Sequence, residues 1–156
     1  MIATTHLAVG AASGLAAQSL LSSEADMTEK AIIAFTVGFI SHLVLDAIPH
    51  REYAVSGFTL WAILSVEIAA VFLLILSPSN QLITSLIIFA GMAGGALPDF
   101  AGLAYQYFLR WPLFAAFGQT VHFFHFRRAS PSLELGYLTQ VIIAAVAIIF
   151  VKFKSV

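Results

Sequence analysis

The 156-residue chain is 60% hydrophobic and only 10% charged. Soluble domains are about 45–50% apolar and about 25% charged, so this composition, with a mean hydropathy of +0.96, predicts an integral membrane protein. A formal net charge of −1 and the lack of a long basic run argue against a nucleic-acid partner, because binding phosphates requires clustered Lys and Arg.

The apolar segments predict an all-α fold, a polytopic transmembrane helix bundle that forms a single domain over residues 1–156. A crossing needs about 20 apolar residues, and about five segments approach that length. In chain order they cover about residues 2–21, 31–48, 54–76, 82–97 and 133–153. Pro49 is expected to end the second helix and Pro98 the fourth, because proline cannot continue a helix without losing a hydrogen bond.

Residues 100–118 differ from the other apolar segments because Arg110 lies near their midpoint. An arginine at the centre of a span costs roughly 2.5 to 3.5 kcal/mol on insertion scales. Trp111 and Pro112 beside it are typical of a membrane interface. We therefore expect an interfacial or re-entrant helix here rather than a crossing.

Two apolar segments carry pairs of glycines four residues apart, Gly10 with Gly14 and Gly91 with Gly95. This spacing lets another helix backbone approach closely. It predicts that the first helix lies inside the bundle, and it offers faces through which a homo-oligomer could form.

Five alternating crossings would place most of the titratable side chains on one membrane face. That face would carry His6, Asp46, His50, Asp99, His122 and His125, with His42 about 6 Å deeper than Asp46. It would also carry four arginines against three lysines on the opposite face, so the positive-inside rule predicts a cytoplasmic site. The expected location is a prokaryotic plasma (inner) membrane, with membrane lipid as the partner.

The strongest local pattern is His42-x-x-x-Asp46-x-x-x-His50 at the end of the second apolar segment. On a helix, His42 and Asp46 share one face, and His50 follows the turn at Pro49. The chain has no cysteine, so a metal ion must be held by His, Asp or Glu, which favours zinc, manganese, iron or magnesium. Three protein ligands and a water are the usual arrangement of a catalytic zinc. The alternative is a buried hydrogen-bonded His42–Asp46 pair with a hydrated His50.

Further candidate ligands lie elsewhere in the chain, and each has a structural alternative. Asp99 could bind the metal or act as general base, or it could cap a following helix. His6 could be a ligand or a hydrated side chain at a helix end. His122 and His125 could bind one ion together, although the phenylalanines around them equally predict an aromatic interfacial belt.

Three other charged residues are candidates for roles other than metal binding. Arg127 and Arg128 could bind an anionic lipid headgroup, or they could serve only as positive-inside anchors. Glu67, near the middle of the third segment, is either a protonated, hydrogen-bonded core group or part of a polar path through the bundle, and the first is favoured. We expect it about half a membrane away from the metal ligands.

Three short motifs resemble those of the small inner-membrane proteins called membrane-bound metal-dependent hydrolases. They are Thr5-His6-x-x-x-Gly10, Gly38-x-x-Ser41-His42-x-x-x-Asp46 and Gly95-Ala96-Leu97-Pro98-Asp99. The resemblance implies His6, His42, Asp46 and Asp99 as metal ligands, together with His122 or His125. In that family Leu-Pro-Asp usually precedes the Ser-His-x-x-x-Asp helix, whereas here it follows.

The leading hypothesis is therefore a metal-dependent hydrolase that cleaves an ester or phosphoester of a lipid-like substrate at the membrane surface. Asp46 and Asp99 would be its catalytic carboxylates, and zinc its expected ion. Two other classes stay open. One is a small transporter or metal-handling protein with a polar path through Glu67, His42 and Asp46, and the other is a non-catalytic membrane scaffold.

Overall fold

The computed structural model describes residues 3–21, 24–48, 50, 55–76, 82–108, 110–121 and 132–154. Within these ranges the chain forms six helices, which confirms the all-α prediction. They are α1 (Ala3–Gln18), α2 (Met27–Asp46), α3 (Gly57–Leu76), α4 (Leu82–Tyr107), α5 (Pro112–Val121) and α6 (Leu133–Lys154).

Three of these helices are long and apolar enough to cross a membrane. The qualifying segments are Met27–Asp46, Leu82–Tyr107 and Leu135–Lys154. Helix α1 has 16 residues, fewer than the roughly 20 that a crossing needs, and α3 contributes a shorter apolar stretch, Gly57–Leu73. The helices thus indicate a membrane protein, and the predicted five crossings are not confirmed.

Helix α2 begins before the apolar segment that predicted it. The Asp26 side chain accepts a hydrogen bond from the Glu29 backbone N–H at 2.8 Å, and the Glu29 side chain accepts one from the Asp26 N–H at 3.1 Å. This reciprocal capping box satisfies two N–H groups at the helix start. The helix therefore starts at Met27 rather than at residue 31.

Helix α4 does not end at Pro98, which corrects both the predicted span 82–97 and the predicted interfacial segment 100–118. The helix continues through the buried Pro98 to Tyr107, and the separate short helix is only α5. A proline inside a helix costs about 3 kcal/mol, because it removes the bond to the carbonyl four residues earlier. Packing on both sides offsets that cost: a Cβ on Gly94 would collide with the Phe35 carbonyl of α2, and one on Gly95 would lie 2.5 Å from the His6 carbonyl of α1.

Glycines bring α1, α2 and α4 into backbone contact. A Cβ on Gly10 or on Gly38 would collide with the carbonyl oxygen of Gly91, and a Cβ on Gly91 would collide with the carbonyl of Gly10. The glycine-containing faces of α1 and α4 therefore contact other helices of the same chain. Helices α3 and α6 pack against α1, and α5 packs against α4.

Candidate metal-binding site

Four side chains from three helices meet where α1 begins and α2 ends. His6 lies in the first turn of α1, His42 and Asp46 occupy the last two turns of α2, and Asp99 follows Pro98 in α4. The close approach of α1, α2 and α4 makes this meeting possible, because the glycines admit no side chain between the helix backbones.

The ligand atoms of these side chains lie close to one another. His6 Nε2 is 3.5 Å from Asp46 Oδ1 and 3.7 Å from Asp99 Oδ2. His42 Nε2 is 3.0 Å from Asp46 Oδ2 and 3.9 Å from Asp99 Oδ1. His6, His42 and Asp99 each offer an atom within 4.8 Å of the others, so this group could hold a metal ion.

The two histidine rings are arranged so that both can direct Nε2 toward the carboxylates. They stack with ring centroids 4.0 Å apart and an interplanar angle of 27°. His42 Nδ1 lies 2.8 Å from the carbonyl oxygen of Gly95, which can only accept, so Nδ1 is the protonated nitrogen. In the neutral form of His42 the lone pair is then on Nε2, and this is the form that binds a metal.

Both histidines are buried with nitrogen atoms that have no hydrogen-bond partner among the described residues. These atoms are Nδ1 and Nε2 of His6 and Nε2 of His42, and the two side chains are 1% and 0% exposed. Each buried unsatisfied polar group costs about 1–3 kcal/mol, and such groups call for an explanation such as an ion. The buried His6 excludes a hydrated helix end, whereas the 3.0 Å distance between His42 Nε2 and Asp46 Oδ2 is also that of the alternative His42–Asp46 pair.

The histidine–carboxylate distances are similar to those between the ligands of a small divalent ion. Ligand atoms at zinc distances of about 2.0–2.1 Å in a tetrahedron lie about 3.3 Å from one another. The four histidine–carboxylate distances, from 3.0 to 3.9 Å, fall on both sides of that value. Two imidazoles and two carboxylates, without a thiolate, form a donor set that suits zinc, manganese or iron.

Asp99 is the exposed edge of the group. Its side chain is 35% exposed, whereas the side chains of His6, His42 and Asp46 are almost completely buried. Asp99 also lies within α4, so it does not cap a following helix. A water or substrate reaching the site therefore meets Asp99 first.

Of the remaining predicted site residues, only His50 is described, and it is not part of this group. His50 Nδ1 bonds locally to the Ile48 carbonyl at 2.7 Å, and His50 is not one of the three residues whose ligand atoms cluster. His122, His125, Arg127 and Arg128 lie outside the described residues.

The first turn of α1 makes polar contacts in three directions. Successive helix residues are about 100° apart, so neighbouring side chains point to different helices. Thr4 bonds to Glu67 of α3, Thr5 Oγ1 donates to the Gln140 carbonyl of α6 at 3.3 Å, and His6 points to α2 and α4. No local sequence pattern predicts that the Gly95 carbonyl bonds to His42 or that Thr5 bonds to Gln140. The consecutive polar residues Thr4-Thr5-His6, in contrast, are visible in the sequence.

Glu67 lies nearer to the candidate metal ligands than its position in the third segment predicts. Its Oε2 accepts hydrogen bonds from the Thr4 backbone N–H at 3.1 Å and from the Thr4 hydroxyl at 3.0 Å. Thr4 is two residues from His6, which is about 3 Å along the helix axis, so the expected separation of half a membrane is wrong. Glu67 provides a hydrogen-bond acceptor at the start of α1, where backbone N–H groups have no partner within the helix.

Glu67→Ala is expected to destabilise the protein by about 1–3 kcal/mol, because it leaves the Thr4 N–H without this acceptor in a partly buried setting. Glu67→Gln keeps an acceptor oxygen and serves as the matched control, with a smaller loss. Unfolding of both variants in detergent checks the prediction. Equal losses in both variants would show that the charge, rather than the hydrogen bonds, matters.

No protein-family model, curated protein or solved structure matches this chain. The chemistry of the site is therefore inferred from its own atoms. The buried His6 and His42 and the partly exposed Asp99 could hold a divalent ion, with the Asp46 carboxylate beside both histidines.

Proposed function

We propose that the protein is a metal-dependent membrane hydrolase that cleaves an ester or phosphoester bond of a lipid-like substrate. The supporting observation is the convergence of the Nε2 atoms of two buried histidines on the carboxylates of Asp46 and Asp99, at distances of 3.0 to 3.9 Å. A divalent ion, zinc by its donor set, would supply a water acidic enough to attack an ester at neutral pH. The motif resemblance to metal-dependent membrane hydrolases supports the same chemistry.

The burial of each residue suggests its role. His6, His42 and Asp46 would hold the ion from the buried side, and the Gly95 carbonyl would keep His42 in the required tautomer. Asp99, at the exposed edge, would bind the ion or take a proton from the attacking water. Arg127 and Arg128 are assigned to an anionic headgroup from sequence alone.

The proposed setting is a prokaryotic inner membrane crossed five times, with α1 and α3 counted as spans and the site on the cytoplasmic side. Helix α1 packs against α2, α4 and α6, and α3 packs on the outside of the bundle against α1. The N-terminus of α1 and the C-terminus of α2 meet at the site, as alternating crossings require.

Elemental analysis of the protein, purified in detergent without a His tag, is expected to find about one divalent ion per chain. Asp46→Ala and Asp99→Ala should lower the metal content. Each removes a carboxylate that has one oxygen within 4 Å of His6 Nε2 and the other within 4 Å of His42 Nε2. Far less than one ion per chain, unchanged in both variants, would refute the metal site.

A small transporter or metal-handling protein is the second candidate, favoured by the depth of Glu67 near the start of α1. In this case Glu67→Gln should abolish metal uptake into proteoliposomes. The hydrolase proposal expects little effect from the same variant, because Glu67 contacts Thr4 on a side of α1 that faces away from His6.

A further inference from the structure

Glu67 lies on the face of α3 that packs against the rest of the bundle. The buried apolar residues of this face, each at most 9% exposed, are Leu60, Leu64, Val71 and Ile75. Glu67 is three residues after Leu64 and four before Val71, so it belongs to the same helical face. A carboxyl group thus takes a position where an apolar side chain would complete the packing. Such a residue in an apolar helix of a membrane protein calls for a functional explanation.

The first turn of α1 has no capping side chain in its own sequence. The N–H groups of a first turn have no partner within the helix, and a Ser, Thr, Asp or Asn just before the helix usually accepts from one of them. Helix α1 begins at Ala3, and the residue before it, Ile2, has no side-chain oxygen. The first turn contains no acidic residue either. These N–H groups therefore depend on acceptors from other parts of the protein.

Glu67 supplies such an acceptor from α3. Its Oε2 accepts hydrogen bonds from the Thr4 backbone N–H at 3.1 Å and from the Thr4 hydroxyl at 3.0 Å. The bond from the N–H has the role of an N-terminal cap, although Glu67 is 63 residues away from Thr4 in the chain. Two bonds to one residue fix both the axial position and the rotation of the first turn relative to α3.

The turn that Glu67 holds is the turn that carries His6. Thr4 and His6 are two residues apart, which is about 3 Å along the axis and about 200° around it, so their side chains point to opposite sides of α1. On the side of the site, the His6 carbonyl packs so closely against Gly95 of α4 that a Cβ at position 95 would collide with it. The first turn of α1 is therefore held between α3 and α4.

Metal binding is sensitive to this attachment because helix ends fray. A terminal turn opens at a low free energy, whereas a metal site needs ligand distances within about 0.2 Å of their normal values. The apparent affinity for the ion falls in proportion to the fraction of molecules in which the turn is in place. His6 Nε2 lies 3.5 Å from Asp46 Oδ1 and 3.7 Å from Asp99 Oδ2, and both distances depend on where the first turn of α1 lies.

We propose that Glu67 is a positioning residue of the metal site, which caps α1 from α3 and so holds His6 where it can bind the ion. This inference rests on the metal site of the proposed function. In this role Glu67 does not touch the ion, because it bonds to Thr4 on the side of α1 away from His6. In a transporter with a polar path through Glu67, by contrast, the carboxyl group would itself contact the metal.

The inference is tested by measuring zinc affinity in detergent, by competition with a chromophoric chelator, well below the unfolding temperature of each variant. Glu67→Ala is expected to bind zinc about 10–100-fold more weakly, as is typical when the residue that orients a ligand is removed. Glu67→Gln keeps an acceptor oxygen and should restore most of the lost affinity. Thr4→Val loses only the hydroxyl bond, so a smaller loss of about fivefold is expected.

Val71→Ala is the matched control for a general loss of stability. Val71 is fully buried one turn after Glu67 on the same face of α3, and its truncation removes apolar packing without removing the bonds to Thr4. Its zinc affinity should equal that of the wild type. The absorption spectrum of bound Co²⁺ reports the ligand geometry, and it should change in Glu67→Ala but not in Val71→Ala.

Wild-type zinc affinity in Glu67→Ala, or an equal loss in Val71→Ala, would overturn the inference and leave the metal site intact. A Glu67→Gln variant as weak as Glu67→Ala would also overturn it, because the acceptor oxygen would then not be what matters. If Glu67→Ala does not fold, wild-type affinity in Thr4→Val overturns the inference. A wild-type protein that binds no zinc would instead refute the proposed function.

Discussion

Saturating zinc is expected to raise the unfolding temperature of the wild-type protein by about 8–16 °C. A ligand at about 1,000 times its dissociation constant stabilises the folded state by about 4.1 kcal/mol, and each kcal/mol shifts the midpoint by about 2–4 °C at this chain length. The stabilisation arises because folding brings His6, His42 and Asp99 together beside Asp46, which an unfolded chain cannot do.

His42→Ala should abolish this shift, because it removes the nitrogen that the Gly95 carbonyl orients toward the carboxylates. His50→Ala is the matched control, since His50 bonds locally to Ile48 and is not part of the ligand group. Thermal unfolding in detergent, with and without zinc, gives the readout. If zinc raised the unfolding temperature of His42→Ala as much as that of the wild type, or failed to raise that of His50→Ala, the metal would bind at other residues.

Gly91→Ala is expected to destabilise the bundle strongly for the addition of a single methyl group. The added Cβ would collide with the Gly10 carbonyl oxygen and lie 3.0 Å from the Gly10 carbonyl carbon. These are backbone atoms, so α1 must move away from α4, and overpacking of this kind typically costs 1–3 kcal/mol or more. The unfolding midpoint should fall by several degrees, and metal binding should weaken because α1 carries His6.

Ala93→Leu provides the control for Gly91→Ala, since position 93 is on the same helix but exposed. A larger apolar side chain there should leave both the midpoint and the metal content close to those of the wild type. If Gly91→Ala were as stable as Ala93→Leu, the close contact between α1 and α4 would be wrong.

Much of the site was predictable from residue types and spacing. His42 and Asp46 are four residues apart, so any helix brings them to one face. The selection of His6 and Asp99 rested on alternating crossings and on motif resemblance, and the structure brings both to that face. His50 was predicted from the same spacing, but it follows the helix end, where periodicity no longer places a side chain.

Two predictions failed because a local rule was outweighed by packing between helices. Pro98 was expected to end α4, yet contacts of Gly94 and Gly95 with α2 and α1 keep the helix continuous to Tyr107. The depth of Glu67 was predicted from its position along its own helix, and the sequence does not show that α3 is shifted along its axis relative to α1. That offset moves Glu67 to the start of α1.

The sequence by itself determined that the protein is α-helical, apolar enough for a membrane and equipped only with imidazole and carboxylate metal ligands. These properties follow from composition and from the helical repeat, which are local. Only the tertiary structure decided that ligand atoms of His6, His42 and Asp99 cluster beside Asp46, that α4 extends past Asp99, and that Gly95 orients His42. The physical reason is that such distances depend on how closely and at what offset helices pack, and here close contacts between distant glycines, such as Gly10 and Gly91, set both.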